Sequence, residues 1–152
     1  MKKILWSAAL FSMVAMALAG CSETGSNEAS MAILDQDAGP EDGRLPAEYP
    51  MDGSTVDQAS FRHSATAAGR EFQIGRSKDG KDVCLVVMAS QDDDTVPWSV
   101  NCASSKGIGS EGLMFTGSNQ GFDFALARDG ADMDSYAQNG WKQIHENIWI
   151  HQ

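Results

Sequence analysis

Val83-Cys84-Leu85-Val86-Val87-Met88 is an unbroken apolar run, bounded upstream by Asp79-Gly80 and downstream by Asp92-Asp93-Asp94. The run is too short for a buried helix and rich in β-branched residues, so it reads as a strand covered on both faces. Its flanks supply partners. Residues 71–75 form the first arm of a hairpin across Asp79-Gly80, and residues 96–102 return beyond the aspartates. A hairpin turning on the aspartates sets Cys84 directly opposite Cys102, Val86 opposite Val100 and Met88 opposite Trp98. Facing Cβ atoms lie about 4.5–5.5 Å apart, within a small adjustment of disulfide geometry.

Working outward, residues 113–116 and 122–126 are further strands separated by Ser118-Asn119-Gln120-Gly121. Asn139-Gly140 precedes Trp141-Lys142-Gln143-Ile144, and residues 147–151 close the chain. Phe122 and Phe124 fall on one side of their strand and mark its core face, with Asp123 and Ala125 opposite. Upstream, Asp52-Gly53-Ser54 can cap a short helix over residues 55–63, although Ser60, Ser64 and Thr66 favour an extended segment nearly as well. Six or seven short strands and 15 glycines predict a mainly β fold: a small antiparallel sandwich or partly open barrel, with at most one short helix near its start.

The 152 residues are 42% hydrophobic and 21% charged, with 11 basic against 21 acidic side chains. This composition fits a single globular domain rather than a disordered, collagenous or multi-span membrane chain. The net charge of −10 repels phosphate backbones, so no nucleic-acid partner is expected. Met1-Lys2-Lys3 is a basic start, residues 4–17 are apolar, and Leu18-Ala19-Gly20-Cys21 ends the segment with small residues before a cysteine. The apolar stretch is shorter than the roughly 20 residues that cross a bilayer, and its flanks are those of a secretory signal.

Leu18-Ala19-Gly20-Cys21 resembles the lipobox of bacterial lipoproteins. The resemblance implies cleavage between Gly20 and Cys21, a diacylglyceryl thioether on Cys21, and anchoring by fatty acyl chains such as palmitate on the outer face of the cell membrane. Ser22, in place of aspartate, implies the outer membrane if the cell has two. Acyl chains contribute about 0.8 kcal/mol per buried methylene, so two of them hold a protein durably where one does not. Residues 21–50 are rich in Ser, Gly, Asp, Glu and Pro without sustained periodicity and read as a flexible acidic tether. The divisions are a signal peptide over 1–20, the tether over 21–50 and a β domain over 51–152. With Cys21 committed to lipid, Cys84 and Cys102 remain in an oxidising compartment with one possible pairing, the alternative being two free buried thiols.

A second resemblance runs through Leu45-Pro46, Arg62, Asp79-Gly80, Val83-Cys84-Leu85-Val86-Val87, Cys102, Gly112-Leu113, Asp129-Gly130, Gly140-Trp141 and Asn147-Ile148-Trp149-Ile150. This order is similar to small exported two-cysteine domains of actinobacteria. It implies a disulfide-containing β domain outside the cytoplasm and transfers no catalytic residues.

Few constellations of chemical groups survive inspection. Asp92-Asp93-Asp94 reads as a solvated turn, and Asp129, Asp132 and Asp134 lack a calcium-loop pattern, as does Asp35-x-Asp37-x-Gly39. His63, His145 and His151 have no zinc spacing, and Gly107-Ile108-Gly109-Ser110-Glu111-Gly112 misses the nucleophile elbow. No catalytic residue, metal or cofactor is therefore assigned. Trp98, Trp141 and Trp149 are the candidate ligand surface; Trp141 and Trp149, flanking the final hairpin, can stack on a sugar ring or a partner's apolar patch, the alternative being that they pack into the sandwich. The expected function is a binding or interaction module, held in the membrane through Cys21 and directed at an envelope protein or wall polymer. The alternatives are a wall-associated hydrolase using paired carboxylates such as Glu111 and Asp123, and a structural protein of the envelope.

Overall fold

The structure, a computed structural model, describes residues 30–46, 49, 55–90, 97–106, 108–119 and 121–152. Two four-stranded antiparallel sheets make up the domain. The first contains β1 (Val56–Ala67), β2 (Arg70–Ser77), β3 (Asp82–Ala89) and β4 (Ser99–Ser104) in sequential order. The second contains β5 (Leu113–Asn119), β6 (Phe122–Ala127), β7 (Lys142–His145) and β8 (Ile148–His151) in the order β5-β6-β8-β7, with a single helical turn, α1 (Asp134–Gln138), between β6 and β7. Edge strand β4 approaches β5, and β1 approaches β7. The mainly β expectation holds: this is a small sandwich, and the sheets do not fuse into a closed barrel.

The β3 run forms the buried strand its composition predicts. Val83, Leu85 and Val87 enter the core between the sheets, where Phe72, Ile74, Phe122, Phe124, Leu126, Ile148 and Ile150 meet them. Cys84 and Val86 face the other way and join Val56 and Phe61 in a second cluster that Leu45, Tyr49, Met88 and Val100 flank. Burying each large side chain contributes about 1.5–3 kcal/mol, so these two layers are the main source of stability. Phe122 and Phe124 lie on the core side, while Asp123 faces outward. The β2–β3 turn is held by Asp79, whose Oδ1 accepts from the Ser77 hydroxyl at 2.7 Å and the Lys81 amide at 3.1 Å. The Ser77 hydrogen bond is the main reason its carboxyl pKa falls to about 2.

Residues 56–63 are extended, so the strand reading prevails over the helix. Serine decides locally: Ser60 Oγ accepts from the Arg76 amide at 2.7 Å and donates to the Asp57 carbonyl at 2.6 Å. It thereby satisfies backbone groups where the β1–β2 register shifts. In the β1–β2 turn, Ala68 and Gly69 both have positive φ, 51° and 72°, which matches the twist of a tight hairpin.

One boundary needs correction. The tether drawn through residue 50 includes residues that belong to the domain. Met31 and Ile33 are 2% and 7% exposed and lie in the inter-sheet core, Met31 capping and Ile33 within a 3-10 turn, Ala32–Asp35. Asp129 pins this segment: its Oδ2 accepts from the Ala32 amide at 2.7 Å, and its own amide donates to the Ser30 carbonyl at 2.9 Å. Asn147 Nδ2 donates to Asp129 Oδ1 at 2.8 Å, tying the latch to the β7–β8 turn. A short apolar run shows no period, yet it suffices to plug an open side of a sandwich.

A candidate binding face on the second sheet

Cys84 and Cys102 are opposite each other in the β3–β4 ladder, with Val86 opposite Val100, as the hairpin register requires. Their sulfurs form a disulfide, with Cα atoms 4.0 Å apart. Cys84 is fully buried and Cys102 is exposed. The ladder ends at Val87–Ser99, one position short of Met88 and Trp98. Gly20, Cys21 and the turn at Asp92-Asp93-Asp94 lie outside the described residues.

Trp98, Trp141 and Trp149 do not share one surface. Trp98 lies beside Tyr49, ring centroids 5.5 Å apart and edge-on, next to the cluster on the outer face of the first sheet. Trp141 and Trp149 stand on the outer face of the second sheet. There the small side chains of Ala125 and Ala127 make a floor. Trp149 lies opposite both Ala125 and Gln143 in the ladder. Leu113, Ala131, Met133, Tyr136 and Trp141 complete the cluster. Trp141 is held between Tyr136, at 5.2 Å and edge-on, and the ring of His151 at 5.6 Å. Both indoles remain partly exposed.

A polar border surrounds the rings. Thr116 and Ser118 on β5 face Ala125 and Asp123, and His151 Nδ1 is 4.0 Å from Asp123 Oδ2. Gln143 Nε2 donates to the Glu146 carbonyl at 3.1 Å. Partly exposed indoles flanked by hydroxyls, an amide, an imidazole and a carboxylate can receive a flat apolar face while bonding its polar edge. Sequence reasoning missed the contribution of Met133 and Tyr136. Their spacing of three residues puts both on one side of a helical turn, a signal overshadowed by the surrounding aspartates.

The remaining chemical candidates are dispersed. Leu113 pairs with Ala127 at one end of β6, and Asp123 pairs with Ser118 near the other. Glu111 precedes Leu113, so it lies about 13 Å or more along the strand from Asp123 at roughly 3.3 Å per residue. Carboxylate pairs that cleave glycosides stand about 5–9.5 Å apart. Among the described residues no group of three or more His, Cys, Asp or Glu is placed to hold a metal. A shallow cavity of about 280 Å³ is lined by Ala68, Gly140, Lys142, Ile150 and Gln152.

His145 on β7 is half-buried, and its surroundings shift its titration. Burial lowers its pKa from the ordinary 6.5, against the opposing pull of Glu146 and Asp129, and nearby His63 lowers it further. Its Nδ1 accepts from the Asn147 amide at 3.2 Å, a bond that only the unprotonated nitrogen can accept. The folded state thus binds fewer protons than the unfolded chain near neutrality. This contribution to stability is complete above about pH 6.5 and is lost as pH falls toward the lowered folded value. Urea midpoints measured from pH 7.5 to 5 are expected to fall more steeply for the wild type than for His145→Gln. Parallel curves would count against this role.

The chain matches no protein-family model, no curated protein and no solved structure.

Proposed function

We propose that this protein is a membrane-anchored extracytoplasmic lipoprotein whose β domain is a binding module directed at an envelope protein or wall polymer. The observation that carries the binding role is the pair of partly exposed indoles, Trp141 and Trp149, framed by polar groups on one outer sheet face. The anchor rests on Leu18-Ala19-Gly20-Cys21, and the disulfide suits an oxidising location. Eight residues, Ser22 to Ala29, separate Cys21 from Ser30. Nine extended Cα steps reach at most about 30 Å. An anchored domain therefore works close to the membrane surface rather than far into the wall.

The test retains the full chain on vesicles and exposes it to isolated wall polymer and to solubilised envelope proteins. Trp141→Ala with Trp149→Ala is expected to weaken retention of the bound component at least tenfold, equivalent to about 1.4 kcal/mol. Lys78→Ala, at an exposed position in the β2–β3 turn, should leave it unchanged. Equal retention by the folded double variant and the wild type would contradict the proposed face.

A further inference from the structure

Glu71 and Gln73 stand two residues apart on β2, on the outer face of the first sheet, away from the Trp141–Trp149 strip. Gln73 is 0% exposed and Glu71 is 8% exposed. Gln73 Nε2 donates to Glu71 Oε1 at 2.9 Å. That bond leaves Gln73 Oε1 buried with no donor. Among the described residues Glu71 has no ion pair with any lysine, arginine or histidine. A carboxylate and an amide oxygen have thus been taken out of water, joined to each other and given no cation, an arrangement that is costly unless something supplies donors.

Among the described residues no neighbour bonds Gln73 Oε1. Met88 faces Glu71 and Val86 faces Gln73 across the β2–β3 ladder, and Val100 lies beyond Val86. On the other flank, Thr66 faces Glu71 and His63 faces Gln73, but His63 Nε2 already bonds Thr66 Oγ1 at 3.1 Å. Arg62, the nearest cation along β1, is directed to the Gln36 carbonyl at 3.0 Å and to Asp42 at 3.7 Å. Trp98 lies one residue beyond the last ladder pair, Val87–Ser99, and Tyr49, which packs on the same cluster as Met88, meets its ring edge-on. The site therefore combines two acceptors, a thioether and aromatic rings. That is the complement of a group with several donors, positive charge and an apolar stem.

We propose that Glu71 and Gln73 bind an alkylammonium group, either a free amine or a lysine side chain of a partner. The ammonium donates to Glu71 and to Gln73 Oε1, and its methylenes lie along Met88 toward Trp98. The remaining exposure of Glu71 provides the entrance. A single carboxylate with a neutral amide is a poor cage for a divalent metal but sufficient for a monovalent organic cation. The chain's net charge of −10 raises the local concentration of such cations.

The test titrates the full chain with n-butylammonium chloride in one arm and a capped lysine peptide in another, with sodium chloride at equal ionic strength as control. Side-chain amide resonances of Gln73 and the indole resonance of Trp98 report binding. Saturable shifts at these two residues in either arm, weakened at least tenfold in Glu71→Gln and preserved in Trp141→Ala, are the expected result. Saturation by both probes assigns the site to amines in general, and saturation by the peptide alone assigns it to a partner's lysine. Shifts no larger than those in sodium chloride, or equal affinity in Glu71→Gln, overturn the proposal. If Glu71→Gln does not fold, the wild-type melting temperature decides: it should rise with n-butylammonium relative to sodium, and no difference overturns the proposal.

Discussion

Phe124→Ala is expected to lower the unfolding free energy by about 3–5 kcal/mol, toward the upper end of that range. The phenyl ring is fully buried, and it covers Gly117 on the neighbouring strand, where an added Cβ would sit 2.5 Å from ring carbons. Glycine within a strand leaves a gap that an adjacent aromatic ring fills. With the ring removed, one wall of the void is bare backbone and another is Ile150 across the β6–β8 ladder. Neither can close in without breaking strand pairing, so little of the cavity collapses. Small domains have only about 5–15 kcal/mol in total. The variant should therefore be close to unfolding at 37 °C. Urea denaturation checks this through the midpoint at constant m, and a loss below about 1 kcal/mol would mean that the two sheets do not share this core.

Breaking the Cys84–Cys102 bond is the second large expected effect. The linked positions are separated by 18 residues, and closing a loop of this size stabilises by about 3 kcal/mol through the entropy of the unfolded chain. For a domain of this size that corresponds to a drop in Tm of roughly 12–24 °C. The double variant Cys84→Ala with Cys102→Ala is the cleaner comparison, because Cys102→Ala alone leaves a thiol buried beside Phe61 and Val86. Calorimetry with and without a reductant should show a large shift for the wild type and none for the double variant. A wild-type Tm indifferent to full reduction would contradict the stabilising role.

What could be read from the sequence was what local pattern controls. The run of residues 83–88 fixed a strand, the turn residues on both sides fixed its neighbours, and together they put two cysteines face to face. The alternation at Phe122 and Phe124 revealed which side of β6 faces inward. Residues 31–34 were not legible in this way. Their burial depends on Asp129 and Asn147, about a hundred residues later, accepting and donating the bonds that dock them. Residues 55–63 were ambiguous because serines that weaken a helix also satisfy a bulged strand, and only Arg76 across the ladder decides between them. The tryptophans were visible as a group, but their division between two opposite faces follows from sheet order, which no local pattern encodes. Gln73 had no sequence signal at all. A glutamine in an alternating strand reads as solvent-facing, yet this one is fully buried.

In the proposed anchoring, one cysteine carries lipid while the other two are bonded to each other in a domain outside the cytoplasm. Mass spectrometry of the protein isolated from membranes, digested without reduction, tests it most directly. The expected result is an amino-terminal peptide that begins at Cys21 and bears a diacylglyceryl group, together with a peptide containing Cys84 linked to one containing Cys102. An amino terminus at Met1 with unmodified Cys21, and Cys84 and Cys102 both alkylated as free thiols, would contradict it.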